Sequence, residues 1–152
     1  MAVIAAPFHG LQTDFYAAAS AIDLSAPGTP IGEVGSLGTL DLSANIIEFN
    51  AYGNDYKQKL VGQKDSGSIE CTLNWVPDTT EAGQALLKTY YDSGAKAYFG
   101  IIWSDAEGGT AGCTFEGYIA SYAIDTPAED VVTANVTIAI DGAVTFDVDG
   151  TF

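Results

Sequence analysis

Residues 38–75, GTLDLSANIIEFNAYGNDYKQKLVGQKDSGSIECTLNW, decide the fold of this chain. Two segments within this stretch, IIEFNAYG (46–53) and SIECTLNW (68–75), alternate between apolar and polar residues, as half-buried β-strands do. Between them, residues 53–67 predict a long inter-strand loop that carries three of the five lysines. Hairpins normally turn within two to five residues. A connection of this length between strong strands indicates an arm that reaches a neighbouring molecule.

Outside this stretch, the pattern predicts more strands and one helix. Residues 80–94, TEAGQALLKTYYDSG, place apolar side chains at helical spacing and predict a helix over about 80–93, with Gly94 just beyond its end. Strands are predicted at 96–104, 113–125 and 131–141, whereas 15–22 fits either a strand or a helix. The remaining segments are an irregular N-terminal arm (1–13), turns (23–38) and a short C-terminal strand or tail (143–152).

These elements favour one architecture. Many strands with regular turns and a single helix predict a mainly β protein, an antiparallel β-sandwich or barrel with one flanking α-helix. The length of 152 residues predicts a single domain over 1–152.

The charge balance restricts the partners of the chain. Its formal net charge is -15, with five lysines and no arginine. Arginine is the preferred residue for bidentate recognition of phosphates and bases, so the composition argues against specific nucleic-acid binding. The acidity serves either solubility or a specific electrostatic role. No run of residues is long and apolar enough to span a bilayer, and the N-terminus lacks a basic signal-peptide region, so we expect no membrane insertion and a cytoplasmic origin.

The residues that catalysis and metal binding require are scarce. His9 is the only histidine, and it lies in the predicted N-terminal arm, where a catalytic base would not be held rigidly. Cys71 and Cys113 lie in strand-like runs and are expected to be buried thiols. The run 147–150 resembles the start of a calcium loop but lacks the closing glutamate. We therefore expect no enzyme activity, no catalytic residue, no cofactor and no metal.

The second half of the chain is rich in aromatic residues, which leaves one further class open. Such side chains occur in cores and subunit interfaces, and they also line carbohydrate sites. A carbohydrate-binding β-sandwich is therefore an alternative interpretation. The residues concerned are Tyr90, Tyr91, Tyr98, Trp103, Tyr118 and Tyr122.

The order of several segments resembles the tail-tube (major tail) proteins of long-tailed bacteriophages. The resemblance covers about residues 39–146 and begins with EFNAYG (48–53), KQKLVG (57–62) and DSGSIECTLNW (65–75). It continues with the helical segment at 80–94, FGIIWSDAEGG (99–109), FEGYIAS (115–121) and VVTANVTIAIDGAVTF (131–146).

This resemblance implies a structural virion protein. Subunits of that family form homo-hexameric rings that stack into a hollow tube, through which viral DNA passes without specific binding. The implied location is the virion tail, assembled in the host bacterial cytoplasm. The implied partners are other copies and tail tip (initiator), tape-measure and terminator proteins. The tube of a related contractile injection or secretion system is the alternative within this class.

Two sets of site residues follow from the resemblance and the strand patterns. The polar sides of the strong strands are expected to line the lumen, where a wall without arginine does not retain DNA; an ordinary solvated outer face is the alternative. The expected lumen residues are Glu48, Asn50, Glu70, Thr72, Asn74, Glu116, Asn135 and Thr137. The long loop is expected to dock on an acidic surface of the adjacent ring, or else to be a solvated loop. The expected inter-ring residues are Asp55, Tyr56, Lys57, Lys59, Lys64 and Asp65.

Overall fold

The computed structural model describes residues 13–32, 34–76, 82–104 and 109–147. The predicted N-terminal arm except Thr13, the histidine at position 9 and the tail after residue 147 lie outside these ranges. The elements are β1 Thr13–Ala18, β2 Thr29–Pro30, β3 Val34–Leu37, β4 Ser43–Phe49, β5 Gln58–Asp65, β6 Ser68–Asn74, α1 Ala82–Ser93, β7 Ala97–Ser104, β8 Thr110–Asp125 and β9 Thr133–Asp147.

Seven strands form one antiparallel, curled sheet in the order β2-β1-β7-β8-β9-β6-β3. The other two, β4 and β5, pair only with each other and form a separate two-stranded ribbon. The predicted class, mainly β with one flanking helix, is confirmed.

The core lies on one side of the sheet, beneath α1. On β6, Ile69, Cys71 and Leu73 are buried, and the residues between them point away. Within this core the rings of Phe15 and Phe99 stack on each other, with their centroids 5.9 Å apart. The same alternation buries the corresponding residues of the long strands. They are Phe99 and Ile101 on β7, Cys113, Phe115 and Ile119 on β8, and Ala134, Val136 and Ile138 on β9.

Helix α1 closes the core through Leu87 and Tyr90. It ends where predicted, since Gly94 adopts a positive φ of 67° and its N–H donates to the Tyr90 carbonyl at 3.0 Å. Near the start of α1, Gly83 lies directly against the backbone of Pro30, at a distance that no Cβ atom would fit. The absence of a side chain at position 83 therefore sets how closely the helix approaches β2.

Three sequence-based assignments are corrected by the structure. The predicted loop at 53–67 is largely strand, because 58–65 form β5 and only 50–57 connect the two strands of the ribbon. The segment 23–38, predicted as turns, contains β2 and β3. The separate C-terminal strand expected from residue 143 is instead a continuation of β9, which runs through Gly142 to Asp147.

Candidate assembly surfaces

The ribbon of β4, β5 and their connection, residues 43–65, stands apart from the body of the protein; we call it the arm. Neither of its strands is hydrogen-bonded to the seven-stranded sheet. Every residue from 41 to 61 is exposed. An isolated two-stranded ribbon is marginally stable in water. We therefore expect this arm to be stabilised by contact with another molecule.

The two sides of the arm differ in chemistry. On one side, Ile47 lies opposite Leu60 and Phe49 lies opposite Gln58, which makes an apolar strip without charge. These apolar side chains are 40–57% exposed. On the other side, Glu48 lies opposite Lys59 and also approaches Lys57, with N–O distances of 3.5 and 3.7 Å. Exposed ion pairs of this kind contribute at most about 1 kcal/mol, so they bias the ribbon's register more than they stabilise it.

A short hinge fixes the arm to the body. The Ser66 hydroxyl donates to the Gly142 carbonyl at 2.7 Å, and the Ile140 N–H donates to the Gly67 carbonyl at 3.0 Å. Gly67 has a positive φ of 65°, and its own N–H donates to the Asp65 carboxylate at 2.9 Å. The chain thus turns sharply between β5 and β6 while it remains bonded to β9.

The side of the sheet opposite α1 is polar; we call the outward residues of β6, β8 and β9 the polar face. Glu70 lies opposite Thr137 and Thr72 lies opposite Asn135 across the β6–β9 pair. The Thr72 hydroxyl donates to Asn135 Oδ1 at 3.0 Å. Asn74 lies opposite Thr133 in the same pair of strands. The predicted lumen residues Glu70, Thr72, Asn74, Asn135 and Thr137 therefore form one contiguous surface.

Glu116 belongs to the same face but has a cationic neighbour. Lys96 Nζ lies 2.7 Å from Asp141 Oδ2 and 3.6 Å from Glu116 Oε1, and it lies 5.9 Å from the Tyr118 ring centroid. The hydrogen bond to Asp141, with the nearby carboxylate charges, raises the pKa of the Lys96 ammonium group, which therefore stays protonated. Lys96 offsets part of the negative charge here. Sequence analysis missed Lys96 and Asp141, although position 141 continues the outward alternation 133, 135, 137, 139 of β9.

Glu48 and Asn50 do not join the other predicted lumen residues. Glu48 lies on β4, where it pairs with the arm's own lysines, and Asn50 follows the end of β4. The structure thus divides the predicted lumen set between the polar face and the arm. The predicted inter-ring residues all lie on the arm, but Lys64 and Asp65 lie at its hinge end, where they pair with the start of β4. Asp55, Tyr56 and Lys57 lie in the connection, and Lys59, Lys64 and Asp65 lie on β5.

A third surface is an open cavity of about 290 Å³ beside α1, which we call the groove. Its lining is formed by Trp75, Val76, Gln84, Ala85, Lys88, Tyr122 and Ile124. Gln84 is 2% exposed and shapes the groove's floor. Its amide NH₂ donates to the carbonyls of Asn74 and Gly32, at 2.9 and 3.2 Å, and its side-chain oxygen accepts from the Val76 N–H at 3.0 Å. Gln84 thereby joins the end of β6 to the helix.

Within the described ranges, His, Cys, Asp and Glu side chains do not gather into a group able to hold a metal ion. Cys71 and Cys113 are buried free thiols. No helix in the described part of the chain has the length and apolarity that a membrane crossing requires.

The comparisons with solved structures place the fold among tube-forming proteins. A chain of the SPP1 tail tube superimposes with a TM-score of 0.67 at 16% identity, over 94% of this chain and 80% of that one. A chain from the sheath/tube terminator structure of an extracellular contractile injection system, PVC, gives a TM-score of 0.74 at 17% identity, over 95% and 99%. A chain of a native gene transfer agent particle gives 0.64 at 13% identity, over 91% and 98%. At such identities the likeness concerns the fold.

The fold is one that phage tail tubes and contractile injection systems share. At the level of sequence, residues 16–147 match the profile of the lambda phage tail tube protein. This chain therefore belongs to the lambda phage tail tube protein family, as its resemblance to tail-tube proteins indicated. No curated protein sequence matches the chain significantly.

Proposed function

We propose that six copies of this chain form a ring, that the rings stack into a hollow tail tube, and that viral DNA passes through this tube into the host. The role is structural, without catalysis or a cofactor. Assembly takes place in the bacterial cytoplasm on a tail tip or initiator complex, around a tape-measure protein and up to a terminator. The finished tube is part of the virion tail. The whole chain, 1–152, acts as one tube domain.

The main observation in support of this proposal is the arm, which does not pair with the sheet. Leu60 and Val61 are 57% and 62% exposed on a ribbon that has no second layer of its own. Apolar side chains exposed along a ribbon favour an interaction partner. The family model covers the arm together with the sheet, so the arm is part of the tube domain, and we assign as its partner another copy in the next ring.

The polar face has the chemistry that a conduit for DNA requires. A tube that delivers DNA must not hold it, and phosphates bind to surfaces by releasing counterions from lysine and arginine contacts. The residues Glu70, Thr72, Asn135 and Thr137 offer a carboxylate and neutral groups instead. Glu70 has no ion-pair partner within the described ranges, so its charge remains available to repel phosphates. We assign this face to the lumen.

Excision of the arm tests the proposal. Replacement of residues 46–61 by an Asn-Gly turn removes the connection 50–57 and most of both strands, but it keeps the hinge at Ser66 and Gly67. Since neither strand of the arm pairs with the seven-stranded sheet, the variant is expected to melt within a few degrees of the wild type but to form no tubes. Asn54→Ser, a matched change in the arm's exposed turn, should leave tube formation intact. Tubes of normal length from the excised variant would refute the role of the arm.

The tube of a contractile injection system is the second candidate. It is favoured by the TM-scores of 0.74 and 0.69 with chains from two PVC structures, a sheath/tube terminator and a sheath-tube complex. A sheath-protein gene beside the gene for this chain would favour the contractile system. A tail operon without a sheath gene would favour the long-tailed, non-contractile type.

A further inference from the structure

The arm and the groove lie at opposite ends of the same strand. The arm joins β6 at its first residue, Ser68, through the hinge. The groove begins just beyond the last residue of β6, at Trp75. Seven residues of strand separate the two by roughly 20 Å. One end of the body therefore presents a protrusion, and the other end presents a concave surface.

The tip of the arm, residues 50–57, carries aromatic side chains without a partner. Tyr52 is fully exposed and Tyr56 is 86% exposed. A tyrosine buries a large apolar ring while its hydroxyl still reaches water or a polar group, which makes it a common interface residue. Two such side chains at the end of a projecting ribbon are suited to insert into a cavity on another molecule.

The groove has the matching chemistry. Trp75, Tyr122 and Ile124 supply apolar surface, and Ile124 is 46% exposed. Lys88 supplies the one charge of the lining, with Nζ 5.5 Å and 6.0 Å from the ring centroids of Tyr91 and Tyr122. Its ammonium group already donates to Asp92 Oδ1 one helical turn away, and its three N–H donors leave room for a second carboxylate. An aromatic ring with a nearby carboxylate suits this combination of apolar wall and ammonium group. The tip offers that pair in Tyr56 and Asp55.

The charge distribution selects a second copy as the occupant. Within residues 43–65, the three carboxylates Glu48, Asp55 and Asp65 balance the three lysines Lys57, Lys59 and Lys64. The arm is therefore neutral, and the net charge of -15 belongs entirely to the rest of the chain. Copies of so acidic a protein repel one another. The arm is the part that approaches another body without net repulsion.

We propose that the arm tip of one copy packs in the groove of the next copy, with Tyr52 and Tyr56 against Trp75 and Ile124 and with Asp55 beside Lys88. A contact between two different surfaces is heterologous, and it gives a closed ring when the rotation between copies closes and an open stack when it does not. Because the arm and the groove lie at opposite ends of β6, we assign this contact to the stacking of one ring on the next. This inference rests on the proposed function and names the receptor surface for the arm.

Cysteine cross-linking between two full-length variants tests the contact. One variant carries Tyr56→Cys and the other carries Ala85→Cys, which is exposed at the groove. The native thiols are buried and do not compete. The matched control replaces Ala85→Cys by Ala143→Cys, an exposed position near the hinge end of the sheet. After oxidation of the mixtures, the 56–85 heterodimer is expected to exceed the 56–143 heterodimer at least tenfold.

Electron microscopy of the same samples separates the two claims. Tubes without the 56–85 cross-link, or with equal cross-linking at position 143, would overturn the tip-to-groove contact and leave the tube function standing. Cross-linked chains that never become tubes would support the contact and contradict the tube function. Protein that stays monomeric under every condition would overturn both.

Substitution at the groove provides a second test that needs no cross-link. Ala85→Glu places a carboxylate on the exposed side of α1, where it opposes Asp55 and fills the groove. We expect self-association in sedimentation experiments to weaken at least tenfold. Thr89→Glu, exposed on the same helix but outside the lining, should associate as the wild type does. Equal association of the two variants would contradict the proposal.

Discussion

The Ser66 hydroxyl donates a hydrogen bond of 2.7 Å to the carbonyl of Gly142, a residue 76 positions further along the chain. This bond holds the turn between β5 and β6 against β9, at the point where the arm leaves the sheet. Ser66 is one of two polar residues that are buried within the described ranges. With the Ile140–Gly67 and Gly67–Asp65 hydrogen bonds, the Ser66–Gly142 bond fixes the direction in which the arm leaves the sheet.

Ser66→Ala should loosen the arm without unfolding the body. The loss of one partly buried hydrogen bond is expected to reduce the free energy of unfolding by about 1 kcal/mol. Hydrogen exchange at the backbone amides of residues 43–65 should accelerate, and tubes should form more slowly. Ser68→Ala, at the neighbouring exposed position, is the control. Unchanged exchange in the arm of the Ser66 variant would show that the hinge is held by other contacts.

Charge reversal on the polar face should convert this face into a DNA-binding surface. Tubes of Glu70→Lys are expected to retain short duplex DNA in a nuclease-protected, salt-sensitive form, because each lysine adds a phosphate contact. Glu116→Lys changes the local charge by the same two units and also removes a carboxylate from Lys96, so its effect should be at least as large. Glu129→Lys, in the exposed turn between β8 and β9, is the control. Variant tubes that assemble and release DNA as the wild type does would refute the lumen assignment.

Gly83→Ala should destabilise the protein although alanine favours helices. An added Cβ would overlap the Pro30 carbonyl and the Ile31 Cα. Overpacking of this kind costs about 1–3 kcal/mol, more than the roughly 1 kcal/mol gained in helix propensity. Thr89→Ala, an exposed site in the same helix, should be neutral or slightly stabilising. Thermal melts of both variants check the prediction, and a Gly83 variant as stable as the wild type would contradict it.

The two thiols should be unreactive in the folded protein. Burial raises the pKa of the Cys71 thiol to about 12 and that of Cys113 to about 11. Iodoacetamide at pH 8.5 should therefore modify neither residue until denaturant is added, as mass spectrometry would report. Modification of both thiols in the native protein would contradict their burial.

The same pKa shifts determine whether the free energy of unfolding rises or falls with pH. An unfolded thiol has a pKa of about 8.5 and the folded Cys71 thiol one of about 12, so between these two pH values the folded state binds more protons at Cys71 than the unfolded state. The free energy of unfolding contributed by Cys71 is fully present below this range and is lost as pH rises through it. Cys71→Ala should flatten this part of the stability profile relative to the wild type. An identical profile in the two proteins would exclude the thiol as its cause.

Sequence predicted the elements whose side chains are buried on one face. The alternation in 68–75 and 131–141 corresponds to β6 and β9, and the helical spacing in 80–94 corresponds to α1. The prediction failed for β5 because both sides of the arm are exposed. Burial therefore imposes no pattern on KQKLVGQKD, which sequence alone does not distinguish from a loop.

The candidate surfaces were predictable only in part. The polar residues of β6 and β9 were identified as one set because strand alternation fixes their side. The position of Glu48 on the arm could not be predicted from sequence, because the point where the arm leaves the sheet depends on long-range hydrogen bonds such as Ser66–Gly142. The groove was missed because it joins Trp75, Ala85 and Tyr122 from three elements that only the tertiary fold brings together.

Negative-stain electron microscopy of the purified protein, over a range of concentrations and with an initiator complex, tests the central claim most directly. The account predicts rings and hollow tubes with sixfold symmetry in end views. Protein that remains monomeric even with the initiator present would contradict it.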